Sequence, residues 1–82
     1  MKVILLKSTQ KELDRIDDKI ALKVILKIYQ LGDDPFPYGS QKLEGDKGYI
    51  IRIVNYRVLY KVVKEKLVII IIKVGHRKDV YK

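Results

Sequence analysis

The stretch YIIRIVNYRVLYKVVKEKLVIIIIKV, residues 49–74, decides the fold. Ile, Val, Leu and Tyr dominate it, and branched and aromatic side chains of this kind suit a pleated, half-covered surface. Asn55 and the run Lys64-Glu65-Lys66 interrupt it. The spacing predicts strands over Tyr49–Val54, Tyr56–Val63 and Leu67–Val74, joined by connections short enough to force an antiparallel meander. The last of these is apolar at every position before Lys73, as expected of a central strand covered on both faces.

Working back towards the N-terminus, Val3–Leu6 reads as a further short strand. Thr9-Gln10-Lys11-Glu12 has the spacing of a capping box, with Leu13 and Ile16 following as an apolar stripe, so a short helix is expected there. Asp17 or Asp18 can cap a second helix, in which Ile20, Ala21, Val24, Ile25, Ile28 and Leu31 recur at helical spacing. Lys19, Lys23 and Lys27 form its polar line. Leu22, Leu26 and Tyr29 broaden the apolar face, either to complete the core or to meet a partner. Gly32 ends the helix, and residues 33–40 form a Pro/Gly loop inside the domain. The fold class is α+β: one domain over residues 1–82, with two N-terminal helices on a small antiparallel sheet made of the N-terminal strand and the meander.

Composition narrows the function. With no cysteine in 82 residues, disulfides and thiolate metal sites are excluded. The run Val3–Leu6 stops at Lys7, too soon for a signal-peptide core, and Leu67–Ile72 is far below the ~20 residues of a membrane span, so a cytoplasmic protein with no membrane partner is expected. The net charge of +8 is unevenly spread. Residues 1–46 hold eight basic and eight acidic side chains, whereas residues 47–82 hold ten basic and two acidic. An anionic partner on the C-terminal half follows, with nucleic acid the commonest case.

Alternation places Ile50, Arg52 and Val54 on one face of the first meander strand, Arg57, Leu59 and Lys61 on one face of the second, and Lys73 with Leu67, Ile69 and Ile71 on the third. One face is therefore wholly apolar, fit to lie under the helices. The other is expected to gather Arg52, Arg57, Lys61 and Lys73. After Gly75, the segment His76-Arg77-Lys78-Asp79-Val80-Tyr81-Lys82 supplies more cations and a terminal aromatic. Guanidinium forks match phosphate oxygens, and tyrosine offers a face on which an unpaired base can stack. One histidine and no Asp/Glu pair at useful spacing leave multi-histidine metal sites and two-carboxylate glycosidases without parts, and no Gly-rich phosphate loop occurs. No cofactor or metal is expected. The reaction these residues suit is attack of an RNA 2′-hydroxyl on its own phosphate, which needs a base, an acid and, above all, positive charge around phosphorus.

Four segments, in order, resemble the RelE branch of the RelE/ParE toxin superfamily: KLEG at 42–45, GYIIRI at 48–53, NYRVLYKV at 55–62 and VGHRKDVY at 74–81. The resemblance is close over the last half and one of pattern only before it. It implies a toxin of a type II toxin–antitoxin pair, a ribosome-dependent endoribonuclease (mRNA interferase) cutting mRNA in the A site without a metal and so stopping translation. It further implies a RelB-like antitoxin as partner, in a possible toxin–antitoxin heterotetramer. Arg57 takes the position of the arginine that stabilises the transition-state phosphate, Arg77 that of the arginine on the leaving side, and Tyr81 that of the stacking tyrosine. Arg52 falls where relatives place a Lys or Arg sometimes assigned as the base. Lys42, Lys47, Lys61, Lys73 and Lys78 are the remaining RNA-binding candidates. Two departures stand out. Ile50 replaces a cation, and Arg52 is a poor base because guanidinium keeps its proton. His76 is then the side chain suited to proton transfer, because imidazole is the group that can both give and take a proton near neutral pH. The alternatives are a ParE-like gyrase inhibitor that only binds, and a non-catalytic RNA- or ribosome-binding module.

Overall fold

The computed structural model describes residues 1–76. The elements follow the expected order: β1 (Lys2–Leu5), α1 (Lys7–Asp14), α2 (Asp18–Gln30), β2 (Gln41–Lys42), β3 (Tyr49–Ile53), β4 (Tyr56–Val63) and β5 (Val68–His76), with a 3-10 turn at Lys64–Lys66. They form an α+β fold whose sheet runs β1-β5-β4-β3-β2. The meander β3-β4-β5 is antiparallel as expected. The sheet is nevertheless mixed, because β1 adds to β5 in parallel, with Val3 opposite Ile69 and Leu5 opposite Ile71. The two helices and the strands β2–β4 together make the long connection a parallel neighbour requires. The two-residue β2 pairs with β3 at Gln41↔Ile50 and Lys42↔Tyr49, and was too short to read from the sequence.

Both helices cover one face of the sheet. Leu13, Ile16, Val24, Ile28 and Leu31 pack on Ile51, Ile53, Val58, Tyr60, Ile69, Ile71 and Val74. The Pro/Gly loop closes one end of this core. There the buried Tyr60 hydroxyl donates to the Pro35 carbonyl at 2.8 Å, and the rings of Phe36, Tyr49 and Tyr60 follow one another at 4.9 and 5.8 Å. Burial pushes the Tyr60 phenol above its ordinary value of 10.0, partly offset by a hydrogen bond with Ser40.

The capping box does not form. Helix α1 begins two residues before Thr9, with Leu6 at the cap, so Thr9 lies inside the first turn and is fully buried. Its hydroxyl instead reaches β5, where it meets the carbonyls of Ile71 at 2.9 Å and Ile72 at 3.1 Å. Glu12 Oε1 accepts from the Val74 amide at 3.2 Å. Tertiary partners outcompete the local bond because β5 extends past the end of β1, and its edge groups would otherwise lack partners. Asp17 takes the cap position of α2, without a side-chain cap bond.

Candidate nucleic-acid interface

The register of the strands places the cations. Lateral rows on the face away from the helices read Arg52–Arg57–Gly75, then Gln41–Ile50–Leu59–Lys73, then Lys61–Ile70–Ile4. Arg52, Arg57, Lys61 and Lys73 therefore share this face, as the sequence suggested. Arg52 and Lys61 are exposed, while Arg57 and Lys73 are half-buried. Arg52 Nε donates to the Val54 carbonyl at 3.3 Å. Gly39, Gln41, Ile50, Arg52 and Arg57 line one shallow hollow. Positive charge here is concentrated over an apolar floor, with Ile50 only 2% exposed.

Lys73 reaches this face by a route that strict alternation missed. Leu59 pairs with Lys73 but Tyr60 pairs with Ile71, so Ile72 is an extra residue in β5. Ile69 and Ile71, expected beside Lys73, lie instead in the core under the helices. The one-residue bulge reverses the parity of the strand and turns Lys73 outward. Val54, expected on the same face as Arg52, has left the strand and turns with φ 58.

The other candidates separate. His76 pairs with Tyr56, whose ring packs against the core, and stands edge-on to that ring at 5.7 Å. It lines a hollow at the α1 end of β5 together with Glu12, Arg15, Ile16 and Val74, which Lys73 and Gly75 also border. His76 and the Arg52/Arg57 cluster thus occupy opposite faces of the sheet. Lys42 pairs with Tyr49 and so belongs to the helix-side face, although it lines an edge hollow together with Lys61, Gly45 and Asp46. Lys47 is exposed in the loop between β2 and β3. Arg77, Lys78 and Tyr81 lie outside the described residues.

A second surface lies on α2. Leu22, Leu26 and Tyr29, at i, i+4 and i+7, are 59, 56 and 53% exposed, so they do not complete the core. Leu26 faces Ile53 and Val54 across a groove flanked by Lys23, Lys27 and Arg52. Val54 is itself exposed, and a β-branched residue in the left-handed region is strained.

The described residues thus form an α+β domain with a cation-bearing sheet face behind two helices and an apolar stripe left exposed on α2. The chain belongs to the ParE toxin family of type II toxin–antitoxin systems, whose family model matches residues 3–81, and so to the RelE/ParE superfamily. Among solved structures it is similar to archaeal RelE in its RelE–RelB complex from Pyrococcus horikoshii. Identity there is 27%, the TM-score is 0.83, and 96% of this chain and 97% of that one are covered. It is also similar to the isolated Escherichia coli RelE toxin, at 26% identity and TM-score 0.78, covering 98% and 89%. The YoeB/ParE toxin of Agrobacterium tumefaciens shares the fold at 22% identity and TM-score 0.76, covering 94% and 99%. Sequence comparison with curated proteins finds no match. No helix among the described residues is long and apolar enough to cross a membrane.

Proposed function

We propose that this toxin is an endoribonuclease of the RelE kind, which cuts mRNA on the ribosome and is neutralised in the cytoplasm by a RelB-like antitoxin. The observation that supports this best is the placement of Arg52, Arg57, Lys61 and Lys73 on one face that the helices leave open. An RNA strand laid across that face meets cations in adjacent rows, where they offset the charge gathering on phosphorus as the 2′-oxygen attacks. Arg57, midway between Arg52 and Gly75, is the transition-state ligand, and the small Gly75 leaves room beside its guanidinium. Arg77 acts on the leaving side and Tyr81 stacks on a base, as the resemblance implies. With His76 turned towards α1, proton transfer on the open face falls to Lys61 or Lys73, or is left to the surroundings supplied by the ribosome. Catalysis then rests mainly on charge.

The antitoxin lies across Leu22, Leu26, Tyr29 and Val54, with acidic residues meeting Lys19, Lys23 and Lys27. The RelE–RelB complex of the archaeal relative supports a partner of this class.

The test is induced expression followed by mapping of mRNA ends. Cleavage at A-site codons that survives chelation, arrested translation, normal DNA supercoiling and loss of all toxicity in Arg57→Ala are expected. The match to the ParE family model favours a second reading, gyrase inhibition without catalysis. Relaxed or broken DNA with intact mRNA would establish that reading and overturn the first.

A further inference from the structure

The bulge in β5 is fastened from outside the sheet. Strand β1 ends its pairing at Leu5↔Ile71, and beyond that point α1 takes over the edge of β5. Thr9 Oγ1 binds the carbonyl of Ile71 and that of the extra residue Ile72 itself, and Glu12 Oε1 receives the Val74 amide just past it. Thr9 is 0% exposed among apolar neighbours, a position where valine has nearly the same shape. Its hydroxyl is explained by the two carbonyls within its reach, between which its one hydrogen is shared. Had alternation continued unbroken from Ile69 and Ile71, Lys73 would follow them beneath the helices. The bulge instead sets Lys73 opposite Leu59, in the row that contains Ile50, the position without a cation.

Building on the ribonuclease reading above, we propose that Thr9 and Glu12 are positioning residues that hold the bulge at Ile72, and that Lys73, turned outward by it, binds the phosphate backbone of the RNA. Helix α1 then determines how many cations the open face presents, without touching RNA itself.

Binding of a short uridine oligonucleotide, followed against salt concentration, reads that number. Each phosphate neutralised on a single strand adds about 0.7 to the slope of log affinity against log salt, which is about fivefold in affinity at ~0.1 M. Lys73→Gln should lower the slope by that amount. Thr9→Val should do the same, and should cost nothing further when Lys73 is already Gln. Thr9→Ser, which keeps the donor, should restore the wild-type slope. Deleting Ile72 removes the extra residue but preserves the parity after it, so Lys73 stays outward and Thr9→Val loses its effect on binding in that background.

A Thr9→Val loss that adds to that of Lys73→Gln, or an unchanged slope in both, overturns the proposal. If Thr9→Val does not fold, exchange of the Val74 amide decides the fastening. It should be slow in the wild type and in Glu12→Gln, whose side-chain oxygen still accepts, and fast in Glu12→Leu; equal rates refute it. A wild-type protein whose RNA binding ignores salt removes the ribonuclease reading and the phosphate role of Lys73 with it, leaving the bulge to the Val74 measurement alone.

Discussion

Replacing Val54 by glycine should move stability and partner binding in opposite directions. Val54 opens the two-residue turn between β3 and β4 with φ 58, a conformation that costs an L-residue roughly 1–2 kcal/mol and a β-branched one no less. Glycine at this position of a hairpin turn is free of that cost, though it gives up about 0.5–1 kcal/mol in chain entropy. The net gain is about 1 kcal/mol, or roughly 4–8 °C in Tm for a domain of this size. Val54 is 45% exposed beside Leu26. Fully burying a valine gives about 1.5–3 kcal/mol, so covering the exposed part contributes about 0.7–1.4 kcal/mol to a partner, equivalent to roughly threefold to tenfold in Kd. Thermal unfolding of the free toxin and titration of it with its antitoxin measure the two effects separately. Lower stability in Val54→Gly would refute the strain argument. Unchanged antitoxin affinity would take Val54 out of the docking surface.

Two further outcomes follow from the loop and the hairpin that close the core. Tyr60→Phe should cost about 1 kcal/mol near neutral pH through the lost bond to the Pro35 carbonyl. Because burial raises the Tyr60 pKa, the folded protein retains a proton that the unfolded chain releases at about 10, so wild-type stability falls as pH climbs through and above that value. The Phe variant lacks this component, and urea unfolding at several pH values should show the gap between the two proteins shrinking above pH ~10; parallel curves would contradict the assignment. Gly48→Ala should be severely destabilising, by about 3 kcal/mol or more, since Gly48 has φ +102 and a Cβ there collides with the Tyr60 carbonyl oxygen. A denaturation midpoint near that of the wild type would count against it.

The parts of the fold legible in the sequence are those set by local periodicity. The β-branched run from Tyr49 and the spacing of Ile20, Val24 and Ile28 in α2 each define an element without reference to the rest of the chain. The parallel pairing of β1 with β5 was not legible, because nothing in four residues states the direction of a neighbour more than sixty positions away. Thr9 and Glu12 show the same limit at finer scale: their spacing matches a local cap, yet their bonds go to β5.

The bulge shows how the placement of the candidate residues was legible only in part. Counting in twos along β5 put Lys73 on the face of Arg52 and Arg57 only because two errors cancelled: Ile69 and Ile71 were assigned to that face, and the register shift went unseen. The same reversal fixes the side on which His76 stands. It follows Val74 on the helix side, while Gly75 falls opposite Arg57. A single extra residue thus decides which side of the sheet receives the histidine and which receives the lysine. Among the described residues the charged groups on the open face are arginines and lysines, so whatever that face binds meets positive charge first.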